Sequence, residues 1–411
     1  MKQYRNIKAA VTGITTGLLF CTALFAQTAG SVTTIEGTIK GNVEGKKVFL
    51  RYDDVVKDLV DSTTIRDGKF MFSLHITSPR FLSLIFEEPV VAGRALQNKM
   101  ASFFADRHKM SFQADYDSLK KEFNSYSSKL ALQAMVTGST ANDQFLEYYK
   151  GVSVYMEARS ELFNKYIAFM NPGKGVARQP REVGIVLARQ MDSVDNKKKA
   201  YILNYIRSRQ PSEVLAFIAK DAISLNNITV DEIGSLQQQF ESVKSAGLLL
   251  TGFREAAALA RKTAVGANLF NFALQDLDGK EQPLSSFIGK GKYVMLEFWA
   301  SWCGPCRADI PHLKEVHAIY NKMGFDIVSV SLDNSMEKWM KAVEEEALKT
   351  KWTQLADLKA FQGDLAKTYR INAIPACLLF DPNGKLVTRN FRGAWMDNRL
   401  IELFGNLFSK N

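Results

Sequence analysis

Polar and apolar positions follow three different rhythms along the chain. Between residues 32 and 117 they alternate with a period of two. Ile35, Gly37 and Ile39 alternate with Thr34, Glu36, Thr38 and Lys40, and Phe70, Phe72, Leu74 and Ile76 line one face. Asp67-Gly68 marks a turn before the second set, and another alternating stretch covers residues 110–116. Short strands separated by turns predict a small antiparallel sandwich or open barrel. No cluster of catalytic residue types falls within it, and the isolated His75 and His108 read as surface or packing residues.

Residues 119–262 change to a helical rhythm. Asn142-Asp143 is expected to cap a helix carrying Phe145, Tyr148, Tyr149, Val152 and Tyr155, and Asn171-Pro172-Gly173 to break it. Further helices are expected over 182–209, from Pro211-Ser212 onward, and over 229–246 and 248–262. The aromatic stripe reads as core. From residue 263 strands alternate with helices. Apolar runs at 293–298, 325–332 and 376–380 are separated by helical segments at 305–322, 335–347 and 361–369, with a last helix at 396–408. Such short apolar strands predict a central sheet covered on both faces. A hairpin over 385–392 follows the turn Asp381-Pro382-Asn383-Gly384.

Length and composition fit this division: 411 residues, 46% hydrophobic and 23% charged, suit two or three folded domains. The net charge of +10 is spread along the chain, so no nucleic-acid partner is expected. At the N-terminus Lys2, Arg5 and Lys8 precede an apolar run at 14–25, and Ala26-Gln27 offers a cleavage point. This pattern predicts a secretory signal over residues 1–26 and a periplasmic location. The run falls short of the roughly 20 apolar residues that a membrane span requires. A retained anchor and lipidation at Cys21 are the alternatives.

Of four cysteines, Cys21 falls in the signal, leaving Cys303, Cys306 and Cys377. A disulfide-stapled secreted protein carries many cysteines at scattered spacings; a pair three residues apart indicates redox chemistry. Cys303 and Cys306 fall where an apolar strand ends and a helix starts. Exposed amide N–H groups and the helix dipole there favour the thiolate, which is the nucleophile in disulfide exchange. Pro305 suits the first helical turn, where its missing N–H costs nothing. Cys303 is expected to be the exposed attacking thiol and Cys306, one turn deeper, the resolving one. A zinc site would need two further ligands, and His312 and His317 lie on one helix pointing apart. No metal or cofactor is expected. A thiol peroxidase is a weaker alternative: the Pro-x-x-x-Thr-x-x-Cys context of peroxiredoxins is missing, since residues 295–302 hold neither Pro nor Thr.

The segment from Glu297 to Cys306, EFWASWCGPC, resembles the active-site segment of thioredoxins. Pro311 falls where that family's active-site helix carries its kinking proline, and Ile374-Pro375 resembles the family's cis-proline loop. Gly393 matches the glycine beside the substrate groove. Val265-Gly266, the segment from Phe272 to Phe287 and the helix around Trp339 resemble the TlpA/ResA-like envelope branch. The resemblance covers about 265–411. It implies that Glu297 accepts the proton of the resolving cysteine and that Asp309 tunes thiol acidity. It also implies that Trp302, Gly304, Pro305, Ile374, Pro375 and Gly393 meet the substrate. Trp302 is expected to cover the dithiol, and Tyr- and Ile-rich walls near Pro375 to hold the substrate chain. The lysine that pairs with the thioredoxin aspartate has no counterpart in 327–332. Cys377 reads as a small buried hydrophobe.

Gly37, Asp61-Ser62-Thr63, Asp67-Gly68-Lys69-Phe70 and Val136-Thr137-Gly138-Ser139 resemble the front of long envelope thioredoxins more loosely. The chain is thus expected to be a multidomain α+β protein. Its parts are a signal (1–26), a small antiparallel β domain (27–118), a central α-helical region (119–262) and a C-terminal thioredoxin fold of α/β/α layers (263–411). The expected function is thiol–disulfide exchange, in the reducing direction. The expected partners are disulfide-bonded exported proteins as clients and a membrane thiol–disulfide electron donor. The alternative is an envelope binding or adaptor protein whose redox domain is regulatory.

Overall fold

A computed structural model of the protein describes residues 32–53, 59–88, 90–91, 94–95, 98–106, 108–121, 134–171 and 179–408. The expected signal, with its anchor and lipidation alternatives, and the break at Pro172-Gly173 lie outside these residues. No helix among the described residues is long and apolar enough to cross a membrane.

The front of the chain forms two facing sheets. Its strands are β1 (Val32–Lys40), β2 (Lys47–Tyr52), β3 (Leu59–Thr64), β4 (Lys69–His75) and β5 (Arg80–Phe86). The two-residue strands β6 (Val90–Val91) and β7 (Arg94–Ala95) follow. Then come β8 (Lys99–Ala105), β9 (Met110–Asp115), β10 (Lys120–Lys121) and β11 (Ala134–Thr137). One sheet has the order β11-β9-β1-β4, the other β10-β8-β5-β2-β3. Their pairings are antiparallel, as the alternation predicts, except that β1 lies parallel to β9 with Ile35 opposite Met110. Phe70, Phe72, Leu74 and Ile76 are all buried between the sheets. The Phe70 ring stands 6.0 Å from Phe86 and 5.8 Å from Phe112. Gly37 lies opposite Phe70 in the register, and a Cβ there would come within 2.1 Å of that ring. The absent side chain is what lets the ring lie flat across β1.

Five helices follow: α1 (Thr140–Met170), α2 (Arg181–Arg207), α3 (Glu213–Ile223), α4 (Val230–Gln239) and α5 (Leu248–Arg261). The first starts earlier than its expected cap at Asn142-Asp143. Ser139 is the cap, its Oγ accepting the Asn142 N–H at 3.1 Å. Asn142 turns inward and its Oδ1 accepts the Phe104 N–H at 3.1 Å. Ser212 caps α3, and Thr229 with Glu232 forms a reciprocal capping box on α4. Phe145, Tyr148 and Val152 are buried, as a core stripe requires. Phe81 and Phe104 reach out of the five-stranded sheet into the same core. Phe104 stands 5.2 Å from Phe145, and Phe81 4.9 Å from Phe217. The outer face of the five-stranded sheet thus packs into the helical core, while its inner face closes the separate core between the sheets.

The remainder is a seven-stranded sheet with helices on both faces. Its strands are β12 (Ala273–Gln275), β13 (Glu281–Pro283), β14 (Tyr293–Trp299), β15 (Phe325–Ser331), β16 (Thr353–Ala356), β17 (Ala376–Phe380) and β18 (Leu386–Arg389). The helices are α6 (Gly304–Tyr320), α7 (Met336–Glu345), α8 (Asp364–Thr368) and α9 (Ala394–Phe404). The sheet order is β13-β12-β16-β15-β14-β17-β18, with β14 parallel to β15 and antiparallel to β17. Met295 and Trp299 of β14 pack toward α6, α7 and α9, and Val294, Leu296 and Phe298 pack toward the other face. This is the α/β/α arrangement of a thioredoxin fold. The strands β12, β13 and β16 are only three or four residues long, too short to leave a period in the sequence.

Substituting Gly37→Ala forces the Phe70 ring out of its place. The expected cost is about 1–3 kcal/mol of stability, the usual range for overpacking a filled core. Urea unfolding of the variant beside the unaltered chain checks it.

Candidate active site

The site is assembled at the junction of β14 and α6. The loop between them is held by Asp333, which is buried and does not stand out in the sequence pattern. Its carboxylate accepts the Ser301 N–H at 2.9 Å and the Ser301 hydroxyl at 2.6 Å, and the Ser331 hydroxyl at 2.7 Å. The N–H of Leu332 also donates to the Trp299 carbonyl at 2.7 Å. The turn that presents Trp302-Cys303 is thereby fixed to the end of β15.

Cys303 is the N-cap of α6, and Pro305 lies in its first turn. Cys303 and Cys306 form a disulfide, with Cα atoms 5.3 Å apart. The Cys306 N–H donates to the Cys303 Sγ at 3.2 Å, so the helix N-terminus places a donor on that sulfur. One expectation needs correction. Cys303 is not openly exposed: with the disulfide closed it is 4% accessible, and Cys306 is 0%. What is exposed around them is Gly304, Pro305 and Trp302, the last 59% accessible. The Trp302 ring packs at 6.3 Å from Phe361.

Strand parity puts Glu297 on the same face of β14 as Met295 and Trp299, the face that α6 covers. In the register it stands opposite Ser329 of β15 on one side and Cys377 of β17 on the other. The Ser329 hydroxyl donates a short hydrogen bond to Glu297 Oε2, and the Trp352 indole donates to Ser329 Oγ at 2.7 Å. Ser329 is thus the partner found where the sequence offers no lysine. Burial raises the Glu297 pKa to about 7; nearby Asp309 pushes the same way, while the Ser329 bond and Arg392 oppose it. Cys377 is buried beside it, its thiol pushed well up by burial and by the Glu297 charge. That fits an inert packing thiol.

Asp309, one turn past Cys306, accepts a hydrogen bond from Arg392 Nη2 at 2.6 Å. Arg392 was not singled out from the sequence, because its partner is 83 residues away. The Ile374-Pro375 bond is cis, and Pro375 leads directly into β17, whose Cys377 faces Glu297. Ile374 packs against the cores on both faces of the sheet. Gly393 has φ 54°, a backbone that favours glycine, and a Cβ there would lie 2.9 Å from the Tyr166 hydroxyl of α1. The cleft beside Pro375 is not walled by Tyr and Ile as expected. Arg, Asn and Asp residues line it, with Phe163, Phe391 and Trp395. The histidines are engaged separately, His312 with Asp397 at 2.8 Å and His317 with Asp326 at 3.0 Å. The described residues hold no group of three or more metal-ligating side chains.

A dithiol at a helix N-terminus, over a buried carboxyl and beside a cis-proline, defines a thioredoxin-fold redox centre. Comparison with known proteins agrees. The AhpC/TSA family model matches residues 265–389, and a domain of unknown function (DUF4369) matches 33–145. The thiol-disulfide oxidoreductase ResA of Geobacillus thermodenitrificans is 33% identical over 123 residues, 30% of this chain and 67% of that protein. ResA of Bacillus cereus is 32% identical over 126 residues, 31% of this chain and 69% of that one. The solved thioredoxin domain of a Bacteroides vulgatus thiol-disulfide oxidoreductase is 34% identical. It covers 35% of this chain and 99% of that domain, with a TM-score of 0.31. The chain belongs to the TlpA/ResA-type thiol–disulfide oxidoreductases.

The raised pKa of Glu297 has a sign that can be tested. An acid whose folded pKa exceeds its unfolded value loses stability as pH rises between the two. Across about pH 5 to about pH 8 the penalty grows to on the order of 3 kcal/mol. Glu297→Gln should abolish this part of the pH dependence. Urea unfolding of the oxidised protein and the variant across that range measures it.

Proposed function

We infer that the chain reduces disulfides in exported proteins in the periplasm, by exchange through Cys303 and Cys306. The observation that carries this reading is the dithiol set at the start of α6 above the buried Glu297. The basic and apolar N-terminal segment supports export, with residues 1–26 as a removed signal.

The reaction follows from the placement of the groups. The Cys303 thiolate, stabilised by the helix N-terminus, attacks one sulfur of the client disulfide. A mixed disulfide forms and the client's other sulfur leaves as a thiolate. Cys306 then attacks Cys303 Sγ, closing the 303–306 disulfide and releasing the second client thiol. Before that attack Cys306 must lose its proton. Glu297, ionised above about pH 7 and lying on the face beneath α6, takes it. Asp309 and Arg392, tied together at 2.6 Å, set the charge around that carboxyl. Trp302, Gly304 and Pro305 offer the exposed rim, and Ile374, Pro375 and Gly393 border the approach. Two electrons leave with the client, and a membrane thiol–disulfide donor restores the dithiol. The Gly-Pro between the cysteines supports the reducing direction.

Three outcomes are expected. Cys306→Ser should accumulate mixed disulfides on Cys303 with envelope proteins, seen as dithiothreitol-sensitive adducts, while Cys303→Ser gives none. The resolving step should slow as pH falls through about 7, and Glu297→Gln should remove that inflection. The reduction potential should lie well below the roughly −120 mV of a strongly oxidising periplasmic dithiol. A value near that figure would reverse the proposed direction.

A further inference from the structure

The helical region closes one side of the space beside the cis-proline and is tied to the redox domain by side-chain contacts. The Trp395 indole of α9 donates to Asp192 Oδ1 of α2 at 3.0 Å, and its ring lies 4.8 Å from Tyr166 of α1. Arg189 donates to Asn398 at 2.5 Å. Tyr166, Ala188, Met191 and Ala394 form a buried cluster across the junction. Gly184 makes the approach possible, because a Cβ there would meet the Phe169 ring at 2.6 Å and Ala394 at 3.3 Å.

Between this junction and the redox domain lies a cleft of about 660 Å³ lined by Pro375 and residues 388–392 on one side and by α1 and α2 on the other. Its size is that of an ordinary ligand site. Resting on the exchange reaction inferred above, we propose that this cleft binds an extended, acidic stretch of the client polypeptide, with the helical region as the specificity wall.

Three features support a chain of that kind. Residues 372–375 make no backbone hydrogen bond with the rest of the described protein, so their amide groups are open to a chain lying alongside. Phe163, 45% exposed, offers an apolar surface on the opposite wall. The lining carries five Arg or Lys side chains and two aspartates, Asp192 and Asp195; Arg392 is paired with Asp309 at 2.6 Å and Arg399 with Glu402 at 2.7 Å. Asp195 is paired with Arg159 at 3.1 Å, whereas Asp192 accepts only from the neutral Trp395 indole and keeps its charge. Arg389 gives its donors to the Thr263 and Tyr369 carbonyls at 2.9 and 2.6 Å, so those bonds leave its charge uncancelled. Lys198 acts on Asp221 without forming a salt bridge with it. With the ion pairs set aside, Lys198 and Arg389 outweigh Asp192, and this positive balance favours carboxylates.

Because binding needs no electron transfer, it can be tested apart from the redox reading. The probe is a fluorescent, cysteine-free acidic peptide, with a lysine-substituted counterpart, titrated against the oxidised full chain. The acidic peptide should bind and the basic one should not, with affinity falling as salt rises. Lys198→Glu and Phe163→Ala should each weaken binding about five- to tenfold. Equal binding of the two peptides, no binding of either, or undiminished binding in both variants would overturn the proposal. Reduction of a small aromatic disulfide by the unaltered chain reports the redox centre independently, so loss of that turnover would count against the exchange reading instead.

Discussion

A carboxyl group in the middle of a buried strand is the constraint around which the redox domain is organised. Glu297 is 3% accessible, with apolar neighbours on either side of it in β14. Leaving it there requires a hydrogen-bond partner, and the sheet supplies Ser329 from β15, itself held by the Trp352 indole. Residual desolvation then keeps the proton on more tightly than in water. The same register sets Cys377, a buried thiol, on the other flank. The α6 helix covers this row, and the dithiol sits at that helix's start. Cys306 and Glu297 therefore share one face of the sheet.

The loop above depends on a second buried acid. Asp333 ties Ser301 to the end of β15 through both backbone and side chain, so the turn before Cys303 moves with the sheet. Farther out, Asp309 and Arg392 join α6 to the segment entering α9. That segment is also where α1 reaches the redox domain, through Tyr166 against Gly393 and Trp395. The helical region and the dithiol helix thus meet the same short stretch of chain.

Much of this was legible in the sequence because it rests on local signals. The period-two runs at Phe70–Ile76 and the apolar runs of β14, β15 and β17 mark strands that are buried as the pattern demands. The Cys303–Cys306 spacing, Pro305 and Ile374-Pro375 belong to a compact motif that can be read without knowing the fold. What was hidden depends on contacts between distant residues. Ser329 and Asp333 have no local mark beyond being polar in an apolar stretch. Arg392 matters only because folding brings it to Asp309. The start of α1 was misplaced for a related reason: Asn142 looks like a cap, but its side chain serves a strand 38 residues earlier. The strands β12, β13 and β16 were missed because a few residues cannot show a period. The burial of Cys303 depends on the packing around the loop, which spacing alone does not describe.

The segment that links the helices to the redox domain has a further consequence. The Gly266 N–H donates to the Leu386 carbonyl at 2.7 Å, the Leu386 N–H to Ala267 at 2.8 Å, and the Leu269 N–H to Gly384 at 2.9 Å. These bonds cover the start of β18, at Leu386, and the turn before it, on what would otherwise be an open rim of the seven-stranded sheet. An open strand rim is a template on which a second chain can polymerise. The linker is therefore also a guard. A redox domain cut free after residue 269 would lose that cover and present the rim to its neighbours.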